Sequence, residues 1–302
     1  MHLWSRTLTA AGIVEPRLRD AYTQQREAVS AYRRNAYLAV RLLLPPQVVP
    51  HVIAATAFMH HTDVQAEAGP SAAAGGDPLS TWEEQVHEAL SSGDSSHPVL
   101  RPLVHTVTLY PGLREHVERF LAGAPMDRDF TGFADEAAYQ RYVDGYSLPA
   151  FMLVASLVLA PDADPRESRA LCRSYIDGSQ RLDFVNDLAG DLGHGRLTLP
   201  EETLKQYEVS RSDLERALDT PTTRALLEGL LTRSREDLLV SRPLPRLAPP
   251  AHRAFVRAFV TLEGLTNDAA LAKGTALLRG AARPSPRAAL GVLAREHRRR
   301  GH

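Results

Sequence analysis

Acidic residues in steps of four are the chemistry-bearing feature of this 302-residue chain. In "AATAFMHHTDVQAEAGP" (54–70), the pair His60-His61 is followed by Asp63 and then by Glu67. In "SQRLDFVNDLAGDLGHGRLTLP" (179–200), Asp183, Asp187 and Asp191 make consecutive steps of the same size. On a helix that spacing stacks carboxylates on one face, one turn apart. Bare like charges so placed cost the helix roughly a few tenths of a kcal/mol, and a cation between them reverses the sign. Carboxylates from two helices suit a hard, oxygen-seeking ion such as Mg²⁺, which keeps several waters and completes its shell with substrate phosphates. One acidic pair alone is the ordinary composition of a solvated face. Two sets, each closing an apolar segment, form a more specific pattern. Arg33, Arg34 and Arg196 add guanidinium forks of the kind that bind phosphate oxygens.

The elements that must position these residues read as helices. Apolar periodicity marks segments near 18–44, 47–67, 81–91, 98–122, 134–160, 165–189, 210–239 and 249–280. Pro45-Pro46 ends the first, and the small-residue stretch 68–80 reads as a loop. Gly190, Gly193 and Gly195 end the helix that carries the second acidic set. No period-2 run bounded by tight turns is found, and no repeat, so the expected fold class is an all-α bundle. Residues 1–280 are expected as one domain, and the Pro-, Ala- and Arg-rich stretch 281–302 as a loose basic tail.

Composition narrows the partners. Hydrophobic residues at 44% and charged residues at 24% fit a folded core, and a net charge of -1 gives no reason to expect nucleic acid or an anionic membrane. The single cysteine, Cys172, excludes an internal disulfide and a cysteine-based zinc site, reads as buried packing, and fits a reducing cytoplasm. The N-terminus lacks the pattern of a signal peptide. The longest apolar run, 148–161, is short of the roughly 20 residues that a membrane span needs, so no integral membrane segment is expected. A monomer or homodimer is expected.

Two stretches carry a resemblance. "LLLPPQVVPHVIAATAFMHHTDVQAE" and "YIDGSQRLDFVNDLAGDLGHGRLTLP" resemble the two aspartate-rich regions of the squalene/phytoene synthase family, in order and separation, over roughly residues 33–205. Asp63 and Glu67 match the first acidic motif, and Asp187 and Asp191 the second. Gln180, Arg196 and the Leu-Pro pair at 199–200 match flanking positions. The resemblance implies an isoprenoid-synthase-type helical bundle around a central cavity. It also implies an enzyme whose acidic motifs hold Mg²⁺ on an allylic diphosphate, with pyrophosphate leaving and an aromatic-lined cavity sheltering the allyl cation.

The departures bear on substrate choice. Arg34-Asn35-Ala36-Tyr37 stands where relatives carry a Ser-rich diphosphate segment. His60 and Asn186 replace arginines, and Asp183 replaces an asparagine. The small-residue helix of relatives appears as "YVDGYSLPAF", with Tyr142 kept and Tyr146, Pro149 and Phe151 bulky. Tyr146 and Phe151 would fill the room that a second long chain needs, and two lost cations weaken the grip on a second diphosphate. Asp183 is a candidate proton acceptor, with Tyr142 beside it in the catalytic set. Tyr37, His60, Tyr146, Phe151, Gln180 and Asn186 are expected to line the substrate pocket; plain core packing is the alternative for the aromatics, and an ordinary structural role for His60 and His61. This profile resembles the squalene-synthase-like branch that prenylates carbazole-type aromatics in actinobacterial natural-product pathways. It implies transfer of one short allylic group, dimethylallyl foremost, to a small aromatic acceptor. Head-to-head condensation and terpene cyclisation are the alternatives within the family. A metal phosphohydrolase is disfavoured because Thr62 separates His61 from Asp63. A non-catalytic homologue is disfavoured by the acids kept at both motifs.

Overall fold

The computed structural model describes residues 3–68 and 76–300, and they form helices joined by short connections, with no strand among them. The all-α expectation is met. The chain divides into two compact units with interleaved boundaries. One comprises Met1–Asp129, Pro149–Asp162 and Ala248–Phe255; the other comprises Phe130–Leu148, Ala163–Leu247 and Val256–His302. Residues 1–280, expected as one domain, thus fall into both units. The loop expected at 68–80 lies largely outside the described residues.

The first unit is built around α4 (Val49–Ala68), against which α2 (Pro16–Tyr32), α5 (Pro78–Ser92), α6 (Leu100–Leu109) and α7 (Leu113–Arg128) pack. α1 (Leu3–Ala10) and α3 (Arg34–Leu43) complete its N-terminal part. Val49 through Ala55 are all buried on α4, so its first half is interior and a polar residue there, His51, must find its partners within the protein. The continuous helix expected over 18–44 is broken at Arg33 (φ -129°, ψ 55°), which separates α2 from α3. α2 starts where Glu15 accepts hydrogen bonds from the Arg17 and Leu18 amides and Pro16 takes the first helical position. The expected 98–122 helix is likewise divided at Tyr110-Pro111-Gly112.

A polar knot ties α2, α4 and α6 together. The Tyr22 hydroxyl lies 3.1 Å from the Pro102 carbonyl, 2.9 Å from Thr106 Oγ1, 3.0 Å from His105 Nδ1 and 3.3 Å from His51 Nδ1. Burial first, and the nearby His105 second, push His51 down to about 4. The folded state therefore refuses a proton that the unfolded chain accepts below its ordinary value near 6.5. The contribution is complete above that value and is lost as pH falls toward 4, by about 3 kcal/mol. Urea midpoints measured from pH 7 down to pH 4 are expected to fall, and a His51→Asn variant to show a shallower fall.

The second unit begins with α8 (Glu136–Tyr142), followed by a π-helical turn, Val143–Ser147, that runs into α9 (Leu148–Val158) at the boundary with the first unit. The sequence predicts one helix over 134–160. Pro149 explains the widened turn: its nitrogen donates nothing, and its ring clashes with the carbonyl four residues back. The long α10 (Pro165–Asn186) packs on α14 (Pro221–Val240). Between them lie α11 (Leu188–Gly193), α12 (Glu201–Gln206) and α13 (Arg211–Glu215); α15 (Arg253–Lys273) and α16 (Pro286–Arg299) follow. Gly178 lets α10 approach α14 closely, since a Cβ there would sit 2.7 Å from the Ser234 carbonyl oxygen. Ser234 Oγ donates to the Gly178 carbonyl at 2.7 Å, so the contact is also hydrogen-bonded.

Within the stretch 281–302, expected as a loose tail, residues 286–299 form the helix α16. Ser285 caps α16 by accepting from the Ala288 amide, and Pro286 takes the first position. Val292 and Glu296 are buried on one face, and Glu296 pairs with Arg257 at 2.7 Å. The Arg-rich face dominates the composition and conceals an ordinary amphipathic period.

Candidate active site

In the first unit the acidic pair closes α4. Asp63 is half-buried and Glu67 exposed, one turn apart. The turn that carries them is fixed from behind: Thr62 Oγ1 donates to the Phe58 carbonyl at 3.0 Å and accepts from Trp82 Nε1 at 2.9 Å. His60 stacks on Tyr32, with ring centroids 3.7 Å apart and planes at 13°. The Arg33 guanidinium lies 4.9 Å from the other member of that stack, the Tyr32 ring. Desolvation, and to a lesser degree Arg33, lower the His60 pKa against the opposing pull of Glu67. These influences favour the neutral form of the His60 ring. His61 is occupied by Trp82 and His97.

Arg33 and Arg34 are exposed at the α2–α3 junction. Tyr37 lines a hollow of about 580 Å³ with Trp4, Thr23, Arg26 and Arg41, which the acidic pair does not border. Phe151 is half-buried on α9. Sequence reasoning missed Tyr32, because the stack depends on the packing of α2 against α4 and leaves no trace in local spacing.

In the second unit the stripe of three acids bends. Asp183 is exposed in the last turn of α10, Asp187 is exposed at the joint (φ -96°, ψ 4°), and Asp191 is half-buried on α11. Backbone bonds from Asp187 N to the Asp183 carbonyl (2.8 Å) and from Asp191 N to the Asp187 carbonyl (3.0 Å) keep the four-residue register through the joint. Burial raises the Asp191 carboxyl, the Thr198 hydroxyl and Arg196 lower it, and the charge of Asp187 raises it again. The two carboxylates thus feel one another. Arg196 returns toward the motif, its amide bonded to the Asp191 carbonyl at 2.8 Å and its guanidinium 4.8 Å from the Phe130 ring.

Tyr142 belongs to an aromatic cluster with Phe130, Phe133, Tyr139, Tyr146 and Phe184, its ring 5.3 Å from that of Tyr146. Gln180 Oε1 accepts from Ser147 Oγ at 2.9 Å, which joins α10 to the π turn. Beneath the cluster, buried Arg181 pairs with Glu136 (2.7 Å) and Asp177 (3.2 Å) and lies 4.2 Å from the Tyr139 ring.

Asn186, expected in the substrate pocket, is largely buried, its Nδ2 donating to the Ala282 carbonyl at 3.1 Å and its Oδ1 accepting from the Ala282 amide at 2.6 Å. Both ends of its amide serve the backbone 96 residues away. Asn186→Ala strands a buried donor and acceptor and is expected to cost about 2 kcal/mol of stability, read as a lowered unfolding midpoint.

Among the described residues no three His, Cys, Asp or Glu side chains gather so as to hold an ion by themselves. Paired carboxylates nevertheless fit Mg²⁺, which takes one or two protein oxygens and fills its shell with water and phosphate. The raised Asp191 carboxyl beside the charge of Asp187 is the condition that a cation relieves.

Comparison with known proteins assigns the family. The sequence profile described as "Squalene/phytoene synthase" matches residues 29–288. The chain belongs to the squalene/phytoene synthase family. Among curated relatives, it is 26% identical over 230 residues to the bifunctional protein CrtB/UppS of Streptomyces coelicolor, matching 74% of this chain and 39% of that protein. It is 25% identical to the 15-cis-phytoene synthase of Synechococcus elongatus, over 72% of this chain and 73% of that one. The chain thus spans about two-fifths of the length of the first relative. A dehydrosqualene synthase structure superposes with a TM-score of 0.81 at 16% identity, covering 92% of this chain and 96% of the other. Squalene synthase HpnC from Alicyclobacillus acidocaldarius superposes at 0.76 with 20% identity, covering 90% and 99%. These structures establish an isoprenoid-synthase-type fold for this family member.

Proposed function

We propose that this chain is a Mg²⁺-dependent prenyltransferase that moves a short allylic group, dimethylallyl foremost, from its diphosphate to an aromatic carbon of a carbazole- or indole-like acceptor. Asp63 with Glu67 in the first unit, and Asp187 with Asp191 in the second, would each offer a carboxylate pair to Mg²⁺; Arg33 and Arg34 in the first unit and Arg196 in the second would each offer guanidinium donors to diphosphate oxygens. Bound Mg²⁺ would supply charge neutralisation for the leaving pyrophosphate. The allylic C–O bond breaks with its electron pair on pyrophosphate, and the aromatic π electrons form the new C–C bond. The ring proton then leaves to a base, a role that the exposed Asp183 carboxylate suits. Tyr142 and its aromatic neighbours offer ring faces to the allyl cation.

The observation that carries the single-diphosphate reading is Asn186. Where the family carries an arginine, this chain has an uncharged amide spent on Ala282. At the other such position, burial shifts His60 toward its neutral form. Head-to-head condensation of two prenyl diphosphates is the second reading, and the comparisons favour it, since the relatives named above are phytoene and squalene-type synthases. Among the described residues no helix is long and apolar enough to cross a membrane. A cytoplasmic monomer or homodimer working in natural-product biosynthesis is the setting that we propose.

The test incubates the protein with Mg²⁺, dimethylallyl, geranyl or farnesyl diphosphate, and a panel of indoles and carbazoles. A mass gain of one prenyl unit on an aromatic, abolished by EDTA, is the expected result. A hydrocarbon formed from the diphosphate alone supports the second reading.

A further inference from the structure

On the face of α10 that carries Asp183, α10 and α15 meet in the second unit with an unusual set of side chains. α10 presents Tyr175, Ser179 and Asp183 in steps of four, and α15 presents Phe259 and Glu263 with the same spacing. The rings of Tyr175 and Phe259 lie 5.0 Å apart at 30°. Ser179 Oγ donates to Glu263 Oε1 at 2.6 Å. Burial foremost, and then the charges of Glu263 and Asp183, raise the phenol of Tyr175.

Glu263 is desolvated enough that its carboxyl is raised, yet it keeps accessible surface, as Phe259 does. Glu263 is thus only partly covered, and the Phe259 ring one turn before it on α15 is exposed. Among the described residues Ser179 is the one hydrogen-bond partner found for Glu263, and it occupies Oε1. Its other oxygen stays open to solvent, since it is not among the buried side-chain atoms that lack a partner. A ligand that displaces that water must bring a donor of its own, which an aliphatic chain cannot do.

We propose that Glu263, held in place by Ser179, is the residue that recognises the acceptor, its Oε2 accepting a hydrogen bond from the N–H of an aromatic heterocycle that packs against Phe259. This rests on the aromatic-transfer reading and adds the acceptor's chemistry to it: a ring bearing a hydrogen-bond donor. The hydrogen bond fixes which ring edge is presented and enriches the π system that attacks the allylic carbon. The N–H proton stays on nitrogen throughout, and the proton lost is the one on the carbon that is alkylated.

The test compares carbazole with N-methylcarbazole as acceptors for the wild type, Glu263→Gln and Ser179→Ala, using dimethylallyl diphosphate and Mg²⁺. The wild type is expected to favour the N–H acceptor in kcat/KM by about tenfold or more, as a charge-assisted hydrogen bond implies. In Glu263→Gln that preference collapses toward unity through a higher KM for carbazole, and in Ser179→Ala it falls part-way. Calorimetric binding of dimethylallyl thiolodiphosphate to each variant reports that the protein is folded. If Glu263→Gln is unfolded by that measure, Ser179→Ala alone decides. An unchanged preference in the folded variants overturns the proposal while leaving aromatic transfer intact. A wild type that alkylates neither acceptor, but couples two diphosphates, overturns the reading on which the proposal rests.

Discussion

Replacing Asp187 with alanine is expected to reduce Mg²⁺-dependent pyrophosphate release by about a thousandfold or more, which corresponds to roughly 4 kcal/mol of transition-state stabilisation. The size follows from what the carboxylate is asked to do. Pyrophosphate leaves carrying the electron pair of the C–O bond, and a metal held against it is the largest charge available to meet it. Asp187 is exposed at the α10–α11 joint, so its removal touches little of the core. The thermal midpoint should therefore stay within about 2 °C, given that surface substitutions cost roughly 0.5 kcal/mol or less. Asp187→Asn should lose nearly as much activity, because the amide keeps the shape and lacks the charge. Asp191, relieved of a like charge, should ionise more readily in either variant, since Asp187 is one of the influences that raise it. A steady-state pyrophosphate assay over a Mg²⁺ titration reads the loss. A decrease under tenfold at saturating metal would contradict the assignment of Asp187 to the metal site.

The second large effect is on stability. Gly178→Ala places a Cβ 2.7 Å from the Ser234 carbonyl oxygen, 3.0 Å from Leu238 Cγ and 3.1 Å from Asp237 Cβ. The nearest of these is backbone on the facing helix, so α10 and α14 must separate for the methyl to fit. Overpacking of this kind costs about 1–3 kcal/mol. Separation also weakens the Ser234–Gly178 hydrogen bond. A loss of about 3 kcal/mol, near 6 °C of melting temperature for a chain of this size, is expected. Gly291→Ala is the control: it lies on α16, where an added Cβ meets nothing within 4 Å. That variant should gain roughly 0.5–1 kcal/mol from helix propensity, and a gain would also confirm that 286–299 is helical in solution.

The acidic motifs and the helices that carry them were legible because both follow a local period. Asp63 with Glu67, and Asp187 with Asp191, advertise themselves at four-residue spacing, and α4 shows its burial as an unbroken apolar run. Helix ends were less legible, though the signals were present. Pro149 marks the π turn, and Ser285-Pro286 is a capping pair that the arginines after it obscured. What the sequence did not disclose depends on distant partners. Asn186 looks like a pocket residue by position, and only the return of the chain to Ala282 shows it to be a clamp. Glu263 is one acid among many on helices until Ser179, 84 residues earlier, is found bonded to it. Tyr32 acquires meaning only when His60 lies flat against it.

The central claim is that one allylic diphosphate is consumed for each molecule of product. Equal amounts of unlabelled and fully deuterated dimethylallyl diphosphate, offered with carbazole and Mg²⁺, separate the readings by mass alone. A two-line product pattern, unlabelled and labelled, is expected, with one pyrophosphate released per product. A three-line pattern, with a mixed species that carries one labelled and one unlabelled prenyl unit, would show two diphosphates joined in one product and would contradict it.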